Sequence, residues 1–146
     1  MKAFYSILCF LVVVICPSFA QQRGNDTLRI LAVGNSFSDD AMEYLPALLA
    51  DLEIKDVELA RLDVGGCSLQ RHVAFHNNGE APYIFHLSKA GENRWQQQKG
   101  TYSLQQVLSM GEWDIITLQQ QSGFSGIYDS FEPHLGELIA IIKESQ

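Results

Sequence analysis

Leu28-Arg29-Ile30-Leu31-Ala32-Val33-Gly34-Asn35-Ser36 is the stretch on which the fold turns. Leu28 to Val33 is apolar at every position except Arg29. A continuous apolar run of this length fits a strand covered on both faces, as in a parallel sheet. Gly34-Asn35-Ser36 then breaks the run with small, turn-forming residues. Ser38 is expected to cap the helix that follows, with Asp39 and Asp40 at its positive end. Met42, Leu45, Leu48, Leu49 and Leu52 recur at helical spacing. Pro46 cannot donate a hydrogen bond to Met42, which predicts a kink or two short helices.

Outward from this unit, Val57-Glu58-Leu59-Ala60-Arg61-Leu62-Asp63-Val64 reads as a second strand closed by Gly65-Gly66. Trp113-Asp114-Ile115-Ile116-Thr117-Leu118-Gln119 reads as a third. Leu104, Val107 and Leu108 mark a short helix ended by Gly111. Phe131, Leu135, Leu138, Ile139 and Ile142 form the apolar stripe of a final helix. Residues 67–100 are too long for an ordinary connection and are expected to be functional or disordered. Within them, residues 83–87, 89–92 and 94–96 resemble a hairpin with its turn. Strands alternating with helices imply an α/β fold with a parallel sheet and right-handed crossovers. These elements make half of such a sheet, and residues 141–146 run out inside a helix. The expectation is therefore a C-terminally incomplete domain over residues 28–146.

The N-terminus points to export. Lys2 precedes a nearly unbroken apolar run from Phe4 to Cys16, too short to span a bilayer, and Ser18-Phe19-Ala20 supplies the small residues of a cleavage site. Residues 1–20 read as a signal peptide cleaved after Ala20, followed by a polar lead-in over 21–27. Lipidation at Cys16 is the weaker reading, because Ile15 stands where a small residue is wanted. The product is expected in the periplasm or outside the cell, with no stable membrane anchor. Cys9 and Cys16 leave with the signal, so Cys67 has no internal disulfide partner. A net charge of −7 argues against a nucleic-acid partner.

Ligands of parallel α/β sheets sit beyond the carboxyl ends of the strands. Here those ends are Gly34-Asn35-Ser36, Gly65-Gly66 and Gln119-Gln120-Gln121-Ser122. Ser36 follows the first strand and opens a helix, so its hydroxyl can point into a cleft lined by backbone N–H groups. That is the arrangement acyl transfer needs: a nucleophile beside donors for an oxyanion. Gly66 can offer an unobstructed backbone N–H. Gln119 or Gln120 can offer a carboxamide, and their alternation along a strand lets only one of them face the site.

These residues carry a resemblance. Leu31-Ala32-Val33-Gly34-Asn35-Ser36-Phe37-Ser38 resembles the first sequence block of the SGNH (GDSL-like) hydrolases, with Asn35 where many members carry Asp. Gly65-Gly66-Cys67-Ser68 resembles their second block. Together with Trp113-Asp114 and Leu118-Gln119-Gln120-Gln121-Ser122-Gly123, the set is similar to the DUF4886 family of exported SGNH-like proteins from Bacteroidota. The resemblance implies a flavodoxin-like three-layer α/β/α fold and serine hydrolysis of carbohydrate or other small esters, with no cofactor. Ser36 would be the nucleophile, and Ser36, Gly66 and Gln119 or Gln120 the oxyanion hole. It also implies an Asp-x-x-His that this sequence lacks and that would lie beyond Gln146.

Without an imidazole, Ser36 is a weak nucleophile. His72, His76 and His86 fall in the 67–100 insertion and His134 opens the last helix; for each, the structural reading outweighs the catalytic one. A metal site from Asp39, Asp40, His72 and His76 would need the stretch around His72 to be helical, and Asn77-Asn78-Gly79 argues against a long helix there, so no metal is expected. Trp95, Tyr83 and Phe85 could stack on sugar rings but read first as the buried side of a hairpin. Cys67 reads as a small core residue. A non-catalytic carbohydrate-binding protein on the same scaffold is the rival to the esterase, and the chain as it stands is expected to have little or no activity.

Overall fold

In the computed structural model, which describes residues 27–146, the run Leu28–Gly34 forms β1, and Leu31, Ala32 and Val33 are almost wholly enclosed. The expected signal peptide and its expected cleavage after Ala20, with Cys9, Cys16 and the lead-in up to residue 26, lie outside the described residues. The chain continues through α1 (Ser36–Met42), α2 (Leu45–Asp51), β2 (Val57–Asp63), α3 (Leu69–Asn77), β3 (Ile84–Ser88) and β4 (Gln96–Gln97). It then forms α4 (Leu104–Leu108), β5 (Ile115–Leu118), a 3-10 turn at Tyr128–Ser130 and α5 (His134–Ser145). The break between α1 and α2 is the one Pro46 predicts, and the proline sits in the first turn of α2, where its missing N–H costs nothing.

The five strands are ordered β4-β3-β2-β1-β5. β1 pairs in parallel with β2 and with β5, in registers that set Gly34 beside Asp63 and Ala32 beside Thr117. The parallel sheet expected from the sequence holds for β2, β1 and β5, while β3 and β4, from the insertion, pair antiparallel and make the sheet mixed. The outer edge of β2 would otherwise expose a row of unpaired N–H and C=O groups, and the hairpin from the 67–100 insertion satisfies it.

That insertion is built rather than disordered. Ser68 accepts a hydrogen bond from Arg71 N at 3.3 Å and caps α3, while Leu69, His72 and Val73 bury one face at i, i+3 and i+4. Asn77-Asn78-Gly79 ends this nine-residue helix, in keeping with the expectation that no long helix forms there. α4 is held by a capping box: Ser103 Oγ accepts from Gln106 N, and Gln106 Oε1 accepts from Ser103 N.

Side-chain alternation along the strands gives each face of the sheet its own core. Leu31, Val33, Ala60, Leu62 and Phe85 pack with Val73 of α3, with Leu104, Val107 and Leu108 of α4, and with Leu138 of α5. On the opposite face, Ala32 and Leu59 pack with Met42, Leu45 and Leu49 of α1 and α2, and Trp95 closes the side. Among the described residues no helix is long and apolar enough to cross a membrane.

Candidate functional site

The three strand ends meet at Asn35, which is 1% exposed. Its Nδ2 donates to Cys67 O at 2.9 Å and to Gln120 O at 3.3 Å, tying the loop after β2 and the loop after β5 to the end of β1. Its Oδ1 accepts from Phe37 N at 3.1 Å, so Asn35 is also the N-cap of α1. This corrects the assignment of the cap to Ser38. The chain turns out of β1 directly into the helix, and the earlier of the two capping residues takes the role. Asn-Ser after a buried strand carries the cap signal; the two long-range bonds leave none in the sequence.

Ser36 stands exposed beside this knot. Neither its hydroxyl nor its backbone N–H has a partner among the described residues. Gly66, at φ +62°, holds a left-handed conformation that favours glycine, and its N–H is likewise unpartnered among the described residues. Ser38 points the other way, donating to Gln119 Oε1 at 2.5 Å. Gly34 makes room for that contact: a Cβ there would run into Ser38 Oγ and lie 3.1 Å from Gln119 Cβ.

The two glutamines separate by face. Gln119 lies on the α1 side beside Gly34, with Nε2 left free among the described residues. Gln120 is buried and its carboxamide is fully engaged. Oε1 accepts from Leu69 N at 3.0 Å and from Gln121 N at 2.9 Å, and Nε2 donates to Ser130 O at 2.8 Å. Gln120 therefore clamps the β5 loop to α3, and its side chain is not available as an oxyanion donor.

Among the described residues no histidine is hydrogen-bonded to Ser36. His72 is enclosed, stacked on Tyr83 with Nδ1 2.7 Å from the Tyr83 hydroxyl. Burial, aided by the Arg71 charge, holds its pKa down to about 4. His86 Nδ1 lies 3.6 Å from Asp63 Oδ1. Burial raises Asp63 above the carboxylate range, while burial and then the Arg61 charge lower His86. His134 pairs with Glu137 at 3.2 Å. Burial pushes the Cys67 thiol up to about 11, which fits a core residue rather than a nucleophile.

The remaining sequence candidates have structural surroundings. Asp39 and Glu43 flank the buried Arg61 at 2.7 and 3.0 Å, and the guanidinium lies 4.7 Å from the Trp95 ring centroid. Trp95 Nε1 donates to Met42 O at 3.1 Å. Tyr83 and Phe85 are core residues. Among the described residues, no three or more His, Cys, Asp or Glu side chains are grouped to hold a metal ion.

Fold and strand-end site together define a mixed α/β protein with an exposed serine at the carboxyl edge of its sheet. The family model described as "Domain of unknown function (DUF4886)" matches residues 29–146, and the chain belongs to this family. The crystal structure of a DUF4886 family protein from Bacteroides uniformis is similar at 35% identity and a TM-score of 0.71. The match covers 82% of this chain and 45% of that one, so the chain spans less than half of that relative's length. No curated protein matches it.

Proposed function

We propose that the chain carries the nucleophile half of an exported SGNH-type serine esterase, on a flavodoxin-like three-layer scaffold. The observation that carries this reading is the conjunction at Asn35: an exposed Ser36 hydroxyl with two unpartnered backbone donors, Ser36 N–H and Gly66 N–H, on loops tied together by one buried side chain. Ser36 Oγ attacks the acyl carbon and passes its proton to a base. The carbonyl oxygen, now negative, takes hydrogen bonds from Ser36 N and Gly66 N. Collapse of the intermediate expels the alcohol, and water then releases the acid from the acyl-serine. One oxyanion donor is worth roughly 10²–10³ in turnover. The base is an imidazole, and among the described residues none of the four histidines is hydrogen-bonded to Ser36; on this reading residues 1–146 alone turn over little or no ester.

The test is a chimaera in which residues 28–146 replace the matching segment of the Bacteroides uniformis protein. It hydrolyses p-nitrophenyl acetate, and Ser36→Ala lowers turnover by at least ~10³-fold. A folded chimaera without Ser36-dependent turnover refutes the reading, as does robust turnover by residues 1–146 alone. A second reading, a non-catalytic carbohydrate-binding protein, draws on the occupied Gln120 carboxamide and on the lack of a histidine bonded to Ser36 among the described residues; it predicts sugar binding without turnover.

A further inference from the structure

A depression of about 200 Å³ opens beside the strand ends, between the start of α3 (Ser68, Gln70) and the segment leading into α5 (Phe124, Asp129, Glu132, His134). It shares walls with the Ser36 site. Ser68 follows Cys67, and Gln120 lies at the base; the backbone carbonyls of Cys67 and Gln120 are the two that receive Asn35 Nδ2. The base is fixed before any ligand arrives. Gln120 Nε2 holds Ser130 O at 2.8 Å, and Ser130 Oγ donates to Ile127 O at 2.7 Å. A preorganised wall lowers the ordering cost of binding.

The chemistry of the rim selects the ligand. Phe124, 47% exposed, offers an apolar ring face. The carboxylates of Asp129 and Glu132 only accept hydrogen bonds, Gln70 both donates and accepts, and the lining contains no Lys or Arg; its one imidazole, His134, is paired with Glu137 at 3.2 Å. A ligand that fits has an apolar C–H face for the phenyl ring, hydroxyl donors for the carboxylates and no negative charge. The volume lies below the ~300–1,000 Å³ of pockets that enclose drug-sized ligands, so it suits one ring. We infer that the depression beside Ser68 and Phe124 is a subsite for a single uncharged hexose ring, the ester-bearing sugar of the substrate, and that it excludes uronates. The identification of that sugar as substrate rests on the esterase reading.

The test is a protein-detected NMR titration of the chain with methyl glucopyranoside, galactopyranoside and mannopyranoside, against methyl glucuronoside. At least one neutral glycoside shifts the amide signals of Gln70, Phe124 and Asp129 with saturation in the millimolar range. The glucuronoside binds at least tenfold more weakly, and Asp129→Asn with Glu132→Gln narrows that gap. Phe124→Ala weakens the neutral sugar tenfold with an unchanged melting temperature, since its side chain is half exposed. Saturation by no neutral glycoside, equal binding of the glucuronoside, or wild-type affinity in Phe124→Ala overturns the inference. Ser36-dependent turnover by the chimaera without sugar binding removes the subsite and leaves the esterase. Sugar binding at these residues without turnover keeps the subsite and removes the esterase.

Discussion

Aspartate at position 35 should fail where asparagine succeeds, although the two side chains have the same shape. Asn35→Ala removes the N-cap, a loss of about 1 kcal/mol. It also leaves Cys67 O and Gln120 O without the Nδ2 donor in a site that is 1% exposed, at ~1–3 kcal/mol for each orphaned group. The longer 3.3 Å bond to Gln120 O puts the total near ~3–4 kcal/mol, a large share of the ~5–15 kcal/mol that holds a domain together. Asn35→Asp keeps the cap but sets a carboxylate oxygen against two carbonyl oxygens and buries a charge, so at pH 7 it costs at least as much as alanine. Protonation restores one donor. The folded-state pKa of the introduced carboxyl is thus raised above the unfolded ~3.9, and between the two values the folded protein binds the extra proton. Stability of the Asn35→Asp variant therefore falls as pH rises through that window, and its deficit against wild type shrinks on going from pH 7 to pH 4.5. Urea unfolding followed by tryptophan fluorescence measures this. A wild-type midpoint for Asn35→Asp at pH 7, or equal deficits at both pH values, refutes the role given to Asn35.

His72 makes stability depend on pH in the opposite sense. Its folded pKa of about 4 lies below the unfolded ~6.5, so its contribution is complete above pH 6.5 and is lost as pH falls toward 4, by about 3 kcal/mol in all. His72→Gln should flatten the urea-midpoint profile across that window, and profiles that run parallel to wild type would contradict the assignment. Gly34→Ala should cost ~1–3 kcal/mol in urea unfolding, because its Cβ collides with Ser38 Oγ and crowds Gln119; an unchanged midpoint would show that α1 yields freely. Gly66→Ala should cost about 1 kcal/mol for the left-handed φ of +62°, with little loss of packing since nothing lies within 4 Å of the added carbon. A midpoint equal to wild type would show that the loop adopts another conformation.

Where local pattern and tertiary demand coincide, the sequence could be read. β1 is a buried apolar run, and Pro46 divides α1 from α2 as its missing donor requires. α3 escaped because its buried face carries His72 in the middle. A histidine reads as a break in an apolar stripe until Tyr83, eleven residues on, is seen to satisfy it. The antiparallel edge escaped for a related reason: a hairpin pattern says nothing about which strand it will join. At the site, Ser36, Gly66 and the separation of Gln119 from Gln120 follow from strand-end position and alternation. Asn35's bonds to Cys67 O and Gln120 O, and the Gln120–Ser130 clamp, span contacts that no local spacing encodes.

Whether Ser36 is a nucleophile is tested most directly by treating the chimaera with a fluorophosphonate and mapping the adduct by peptide mass spectrometry. The predicted result is a single modified residue, Ser36, with labelling abolished by Ser36→Ala and slowed by Gly66→Ala. A correctly folded chimaera that stays unmodified at Ser36, or is modified equally in the Ser36→Ala variant, would contradict it.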